Sequence, residues 1–267
     1  MTKAAQSMYR FSANLGFLWT ELPLDQAIIR AADAGFDAVE CHWPYDLPAS
    51  QVLQALQKTG LSMLGINARC GDRLAGEFGL AALPARVAEA RRDIDEAIAY
   101  AAAINAGAVH VMAGKSDASQ EAHQCYRDNL AYAASRAMPH GLTILIEPIN
   151  QLDVPGYHVS YVEDAIDLIT SLEYANIKLM FDCYHTQIMQ GDICRRLTTY
   201  LDHIGHVQIA AVPDRGEPDA GELFYPAVLA ALYGAGYQGF VGAEYRPRDN
   251  IDTGLGWLAK FKQAGSS

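Results

Sequence analysis

The sequence is poor in basic residues and contains no extended basic run. Lys and Arg number 20 against 31 Asp and Glu, so the 267-residue chain carries a formal net charge of −11. Because nucleic-acid binding depends on neutralising phosphates with Lys and Arg, this balance argues against DNA or RNA as a partner. Charged residues make up 19% and hydrophobic residues 51% of the chain, which allows a large core and argues against disorder.

Long apolar runs and cysteine pairs are also missing. No window approaches the roughly 18 apolar residues of a membrane-spanning helix, and residues 1–7 lack the apolar segment of a secretory signal. The five cysteines are an odd number without a Cys-x-x-Cys pair, which argues against a disulfide framework or a zinc site. We therefore expect a cytoplasmic protein with free thiols and no membrane partner.

Four apolar segments in the second half of the chain each carry a side chain with an oxygen donor at or near their ends. A continuous apolar run of this length is typical of a strand buried on both faces, as in parallel sheets. The segments and their polar residues are 143–146 with Glu147, 177–181 with Asp182, 205–210 with Gln208, and 239–243 with Glu244. The pattern thus predicts four oxygen donors near the carboxyl ends of four strands.

Eight such strands alternate with eight helical patterns along the chain. The predicted strands are 9–15, 38–43, 61–68, 108–114, 143–147, 177–182, 205–210 and 239–244. A right-handed series of eight β-α units closes into a (β/α)₈ TIM barrel, an α/β fold, and we predict one such domain over residues 1–267. A doubly wound open sheet is less consistent, because no G-x-G-x-x-G opens the first helix, and two domains would need a linker that is not visible.

Two local predictions concern the helices of the second half. Ser160 followed by Glu163 has the spacing of a capping box at the start of the helix that runs to about residue 172. A single helix is predicted over residues 187–201, which places His185 on the loop that leaves the sixth strand.

In a barrel the carboxyl ends of all strands point to one face, so Glu147, Asp182, Gln208 and Glu244 are expected to converge. Three carboxylates brought together without a cation would repel one another and raise one another's pKa. Ligation by oxygen alone suits a hard ion better than zinc. We therefore predict a divalent metal site for Mg²⁺ or Mn²⁺.

Seven motifs resemble those of the hydroxypyruvate isomerase family, within the xylose-isomerase-like barrel superfamily. They are Phe11–Asn14, 147–150 (Glu-Pro-Ile-Asn), 181–185 (Phe-Asp-Cys-Tyr-His), 205–210 (Gly-His-Val-Gln-Ile-Ala), 215–218 (Arg-Gly-Glu-Pro), 221–223 (Gly-Glu-Leu) and 244–247 (Glu-Tyr-Arg-Pro). The likeness runs over residues 9–257. Close relatives in this family include 2-oxo-tetronate isomerases, and more distant ones are ketose 3-epimerases.

The resemblance implies that Glu147, Asp182, Gln208 and Glu244 ligate the metal and that Glu147 and Glu244 act as acid and base. The chemistry agrees, because moving a carbonyl to the adjacent carbon removes one proton and returns another through an enediolate. The distant epimerases carry a histidine where Gln208 stands, which leaves the choice of metal open.

Further residues are candidates for binding the substrate. The resemblance places His185 in the substrate pocket, and Arg215 has the guanidinium that suits bidentate recognition of a carboxylate. A loop arginine paired with Asp214 or Glu217 is the alternative for Arg215. Asn67 and Lys115 are further candidates for binding the substrate, because they lie at the ends of the third and fourth predicted strands. Three residues at the end of the second strand are candidates for the pocket wall: Glu40, His42 and Trp43.

We expect an isomerase that converts hydroxypyruvate to tartronate semialdehyde. The alternatives are 2-oxo-tetronate isomerisation, ketose 3-epimerisation, a metal-dependent phosphodiesterase like the abasic-site endonucleases, and a non-catalytic sugar-acid sensor. The phosphodiesterase would need a basic surface and more His ligands, which the sequence lacks. The expected partner is a small molecule, and a homo-oligomer is compatible with the composition.

Overall fold

All the named strands in the computed structural model, which describes residues 7–265, pair in parallel in a single sheet. In chain order they are β1 (Phe11–Asn14), β2 (Ala38–Glu40), β3 (Ser62–Met63), β4 (Ile66–Asn67), β5 (Ala108–His110), β6 (Thr143–Ile146), β7 (Ile177–Asp182), β8 (Ile204–Ile209) and β9 (Val241–Ala243). Their spatial order is β3-β2-β1-β9-β8-β7-β6-β5-β4. Because β3 and β4 are adjacent in sequence, the two ends of this order meet.

The segment 62–68 closes the ring of strands. On one side the backbone N–H of Leu64 donates to the carbonyl of Val39 on β2, at 2.8 Å. On the other side the N–H of Ala68 donates to the carbonyl of His110 on β5, at 2.9 Å. The third predicted strand is therefore present as two short pieces, and the predicted (β/α)₈ barrel is confirmed.

Helices follow the strands, and all of them except the short helix Ile251–Gly254 bury residues against the rest of the barrel. They are α1 (Leu24–Asp33), α2 (Ala49–Thr59), α3 (Val87–Ala103), α4 (Gln120–Ala137), α5 (Val162–Leu172), α6 (Cys183–Met189), α7 (Ile193–Thr199), α8 (Tyr225–Gly234), α9 (Ile251–Gly254) and α10 (Gly256–Ala264). In α1 the buried residues Ala27, Ile28 and Ala31 lie on one face, because Ala31 follows the first two by about one helical turn. Within the described residues, no helix has the length and apolar character to cross a membrane.

The prediction of a single helix over residues 187–201 is wrong. Helix α6 begins directly after β7, and the Asp182 side chain caps it by accepting from the backbone N–H of Tyr184 at 2.7 Å. It ends near Gly191 and Asp192, whose φ angles of 67° and 56° are left-handed and break the helix. His185 therefore lies on a helix rather than on a loop.

The predicted capping box at Ser160 is also wrong. The Ser160 hydroxyl bonds locally, and no side chain of the N-cap residue caps α5. The carboxylate of Glu163 instead pairs with Arg196. The N–H of Val162 instead donates to Oε1 of Gln190, a residue distant in sequence, at 2.9 Å. The cap thus comes from the end of α6, a contact that local spacing cannot predict.

Candidate active site

Three of the four predicted oxygen-bearing residues meet at one point of the barrel. Glu147 follows β6, Asp182 ends β7 and Glu244 follows β9. Together with His185 on α6 they offer four ligand atoms that all lie within 4.8 Å of one another. All four residues are buried, with between 1% and 6% of their surface exposed. The structure thus brings together the three acids that the sequence placed at strand ends.

Gln208 lies on β8, between the strands that carry these acids. Its Cα pairs in register with Asp182 on one side and with Gly242 on the other. Its Nε2 donates to Oε2 of Glu40 at 3.4 Å. Oε1 of Gln208 and Oδ2 of Asp182 are buried acceptors that have no hydrogen-bond partner among residues 7–265. Unpaired buried oxygens beside three carboxylates fit a hard divalent cation, which takes oxygen ligands.

Burial and neighbouring charges give these acids different pKa values. Burial, together with the charges of Glu244 and Asp182, raises the pKa of Glu147 well above its usual value. Burial also raises the pKa of Asp182, to about 7, although the charge of Arg215 opposes the rise. For Glu244, burial alone would raise the pKa, but Arg215 and His42 outweigh it and lower the pKa. One carboxylate is thus held ionised beside one that favours its neutral form, a pattern typical of acid–base sites.

Glu244 accepts hydrogen bonds from three side chains. Nδ2 of Asn14 donates to Oε1 at 2.8 Å, and Nε2 of His42 lies 3.1 Å from the same oxygen. A terminal nitrogen of Arg215 donates to Oε2 at 2.7 Å. Sequence reasoning placed His42 in the pocket wall but did not select Asn14 as a site residue. Asn14 carries the same signal as the acids, because it is a polar residue that ends β1.

Arg215 reaches the acid cluster rather than its neighbours in sequence. Besides its bond to Glu244, its guanidinium lies 3.5 Å from Oδ2 of Asp182. The guanidinium also lies 4.9 Å from the ring centres of Phe17 and of Tyr184. Asp214 and Glu217, the alternative partners, both pair with Arg248. Nε of Arg215 is buried and has no partner within the described chain, so a donor remains for a ligand.

His185 faces the acids with one ring nitrogen and a loop with the other. Its Nε2 lies 3.5 Å from Oδ2 of Asp182 and 3.7 Å from Oε1 of Glu147. Its Nδ1 lies 2.7 Å from Nδ2 of Asn150. Burial, aided by the charge of Arg215, holds the pKa of His185 well below its usual value, so the ring is neutral.

The barrel also contains a small cavity of about 20 Å³, enough for one water molecule. Glu40, His110, His206 and Gln208 are among its lining residues. Oε2 of Glu40 lies 2.7 Å from Nε2 of His206. His206 and Gln208 therefore both contact the carboxylate of Glu40.

The two remaining predicted substrate residues have different surroundings. Asn67 is half-buried and also lines the small cavity, where its side chain contacts the sulfur of Met112 at 3.9 Å. Lys115 is exposed, and its ammonium group donates to the carbonyl of Gly76 at 2.8 Å. The structure thus places Asn67 at the small cavity in the barrel and places Lys115 against the 70–79 loop.

A cleft of about 390 Å³ adjoins the site through His42. Gly16, Trp43 and Arg73 also line it, and the guanidinium of Arg73 lies 4.5 Å above the Trp43 ring. This volume lies within the range of small-molecule sites.

Comparison with known proteins gives consistent matches over the whole barrel. A family model described as a xylose isomerase-like TIM barrel matches residues 28–261. A 2-oxo-tetronate isomerase from Cupriavidus necator is 44% identical over 257 residues, covering 95% of this chain and 99% of that protein. A hydroxypyruvate isomerase from Escherichia coli is 37% identical over 258 residues, covering 96% of this chain and 100% of that protein.

A similar solved structure carries a different name. It is described as an AP endonuclease, family 2, from Brucella melitensis, and it is 38% identical to this chain. It superposes with a TM-score of 0.91 and covers 94% of this chain and 98% of its own.

Proposed function

The chain belongs to the xylose isomerase-like TIM barrel family, in the group of hydroxypyruvate and 2-oxo-tetronate isomerases, and we propose from this that it isomerises a small hydroxy-oxo acid. In this reaction a carbonyl group moves to the adjacent carbon. The observation that carries the proposal is the meeting of Glu147, Asp182 and Glu244 with Arg215 at the strand ends. Those groups can transfer protons and recognise a carboxylate in one buried place.

A divalent ion fits the donor set of the site. Glu147, Asp182, Gln208 and Glu244 would hold it, and Mg²⁺ or Mn²⁺ suits oxygen ligands. When bound, the ion supplies Lewis-acid stabilisation to the charge that develops on the substrate oxygens.

The two glutamates divide the proton transfer between them. Glu244, kept ionised by Arg215 and His42, accepts the proton from the hydroxyl-bearing carbon. Glu147 returns a proton to the neighbouring carbon, while the proton of the substrate hydroxyl passes to the former carbonyl oxygen. An enediolate forms between these two transfers. Burial of both residues excludes water and prevents loss of the reactive species to side reactions.

Arg215 would bind the carboxylate of the substrate. Its Nε has no partner within the described chain and its planar group can bind both oxygens of a carboxylate. The rings of Phe17 and Tyr184 hold the guanidinium on two sides. A simple ketose lacks the carboxylate, so this contact favours an acid over a sugar as the substrate.

Of the two candidate substrates, we propose that 2-oxo-tetronate is preferred over hydroxypyruvate, which the sequence alone had placed first. The higher identity to the Cupriavidus protein and the cleft next to His42, which has room for an additional carbon, support this choice. Rates should be compared on hydroxypyruvate, 2-oxo-tetronate and a ketohexose under identical conditions. We expect the highest kcat/KM on 2-oxo-tetronate, with incorporation of solvent deuterium into the product. Faster epimerisation of the ketohexose would contradict the proposal.

Metal dependence is tested separately. We expect chelator-treated protein to lose activity and to regain it with Mg²⁺ or Mn²⁺. The melting temperature should rise with either ion, because a ligand that binds only the folded state stabilises it. Full activity after chelation, verified by metal analysis, would show that the acids act alone.

The name of the Brucella structure suggests DNA as an alternative substrate. A nuclease must attract a polyanion, and the net charge of −11 opposes this. Cleavage of an abasic-site duplex at low salt, at a rate above that on the keto acids, would favour the nuclease.

A further inference from the structure

The backbone of the loop that follows β6 fixes the Asn150 side chain in one orientation. Its Oδ1 accepts from the N–H of Leu152 at 3.0 Å and from the N–H of Asp153 at 2.8 Å. Because a backbone N–H only donates, these two bonds identify the amide oxygen, and Nδ2 must face the opposite way. Nδ2 donates to Oδ2 of Asp153 at 3.1 Å and lies 2.7 Å from Nδ1 of His185.

A second donor points at the same ring nitrogen. The backbone N–H of Asn150 donates to Nδ1 of His185 at 3.3 Å. Neither this N–H nor the amide NH₂ can accept a proton from the ring, so Nδ1 must present its lone pair. The proton of the neutral imidazole then sits on Nε2. Asn150 and His185 are 0% and 2% exposed, so bulk water does not replace these bonds.

The tautomer decides what His185 can do beside the acids. Nε2 lies 3.5 Å from Asp182 and 3.7 Å from Glu147, and with a hydrogen on it this nitrogen has no lone pair for a cation. A histidine that binds metal through Nε2 usually donates its Nδ1–H to an acceptor, and here that side holds two donors. His185 therefore offers no lone pair to a cation, unlike the three acids with which it clusters.

We propose that Asn150 is a positioning residue that locks His185 in the neutral Nε2–H tautomer, making His185 a hydrogen-bond donor to a substrate oxygen and excluding it from the metal ligands. The part about the substrate rests on the proposed function, whereas the tautomer follows from the hydrogen bonds alone. A donor fixed before the reaction stabilises charge as it develops on that oxygen. Gln208, with its unpaired Oε1, is then the metal ligand that joins the three acids.

Nitrogen NMR on histidine-labelled protein, free of metal and substrate, tests the tautomer directly. The chain has eight histidines, and the spectrum of His185→Gln identifies the signals of His185 by their loss. We expect a protonated Nε2 and an unprotonated Nδ1 in the wild-type chain. A protonated Nδ1 would overturn the proposal. This measurement needs no variant of Asn150, so it decides the tautomer even if such variants do not fold.

Asn150→Asp tests the lock, because it replaces the NH₂ donor with an acceptor of nearly the same shape. We expect the proton to move to Nδ1 and kcat to fall by about 100-fold or more, the lower range for losing a hydrogen-bond donor to a developing charge. Asp153→Ala is the matched control, since it removes the other acceptor of Nδ2 and leaves the contact with His185. It should keep the wild-type nitrogen shifts. Unchanged shifts in Asn150→Asp would refute the lock.

Mn²⁺ binding followed by electron paramagnetic resonance tests the exclusion from the metal site. His185→Gln should weaken Mn²⁺ binding by no more than about tenfold, the lower end for a residue that only contacts the ligands, whereas loss of a ligand should weaken binding by more than about 100-fold. A loss of that size would overturn the exclusion. If the wild-type chain isomerises no keto acid, the proposed function fails while the nitrogen shifts still decide the tautomer.

Discussion

Glu244 shows how a buried carboxylate is kept charged. Burial disfavours its ionised form, yet Asn14, His42 and Arg215 all direct N–H groups at its two oxygens. Hydrogen bonds to charged groups are stronger than neutral ones, and together they outweigh the loss of water. Glu147 has repulsive acids beside it and no such set of donors, so the same burial has the opposite result. The chemistry of each residue is thus set by its neighbours.

Glu244→Gln should abolish most of the activity while preserving the fold. The amide keeps the shape but cannot accept a proton from carbon, so kcat is expected to fall by about 10²–10⁴-fold. Circular dichroism and the melting temperature would show that the barrel is intact. The matched control is Glu222→Gln, which changes an exposed glutamate in the same way and should retain wild-type kcat. Wild-type activity in Glu244→Gln would refute the catalytic assignment.

At the scale of elements, β8 and β9 are packed closely around one glycine. A Cβ added at Gly242 would lie 2.1 Å from Oε1 of Glu40, 2.8 Å from Nε2 of His206 and 3.0 Å from Cγ of Gln208. The absence of a side chain there is what allows Glu40 and His206 to approach Gln208 in the barrel interior. A strand position that looks unremarkable in sequence therefore sets the spacing of a predicted metal ligand.

Gly242→Ala is expected to destabilise the protein by about 1–3 kcal/mol, the usual cost of overpacking a core. It should also weaken divalent metal binding, because Gln208 must shift. Chemical denaturation and a metal titration would measure the two effects. Gly256→Ala is the control: its added Cβ meets nothing within 4 Å, and the expected change is below about 1 kcal/mol. Equal stabilities for both variants would contradict this account.

The strand ends could be predicted from the sequence because each apolar run carries a polar residue at or near its end, a signal that is local. The fold and the meeting of Glu147, Asp182 and Glu244 follow from that signal and from barrel topology. The break between α6 and α7 was missed because the left-handed turn at Gly191 and Asp192 overrides a continuous helical pattern. Contacts between distant segments carry no local signal at all.

Arg215 and Gln190 illustrate such contacts. The sequence suggested a carboxylate partner for Arg215, but nothing in its own loop indicates that Glu244 supplies one. In the same way, Gln190 caps α5 from across the chain.

At the scale of the whole molecule, a buried histidine outside the active site links stability to pH. His158 lies in the segment between β6 and α5, and its Nδ1 lies 2.6 Å from the hydroxyl of Ser116. The ring of His123 is 4.6 Å away, centre to centre. Burial, helped by His123 and opposed by Asp117, lowers the pKa of His158 from 6.5 to about 4. The folded protein therefore resists protonation of His158 where the unfolded chain accepts it.

The sign of the effect follows from that difference. The stabilisation is complete above the unfolded pKa of 6.5 and is lost as the pH falls toward 4. Between about pH 7 and pH 5, wild type should lose roughly 2 kcal/mol of unfolding free energy more than His158→Asn. Urea denaturation at both pH values would measure the difference. His140→Asn, which changes an exposed histidine, should follow wild type. Parallel losses in wild type and His158→Asn would refute the role of His158.

Because the strand at residues 62–68 is divided, the length of strand pairing differs around the barrel. The two short pieces form a seam, and in the sheet order the strands from β6 to β9 lie opposite to it. The seam has the shortest ladders, with two residue pairs on each side, whereas the strands that carry the acids pair over longer stretches. Substitutions near Asn67 would therefore change the wall of the barrel at the seam, and under the proposed function the size of the accepted substrate, while the strands that carry Glu147, Asp182 and Glu244 keep their pairing.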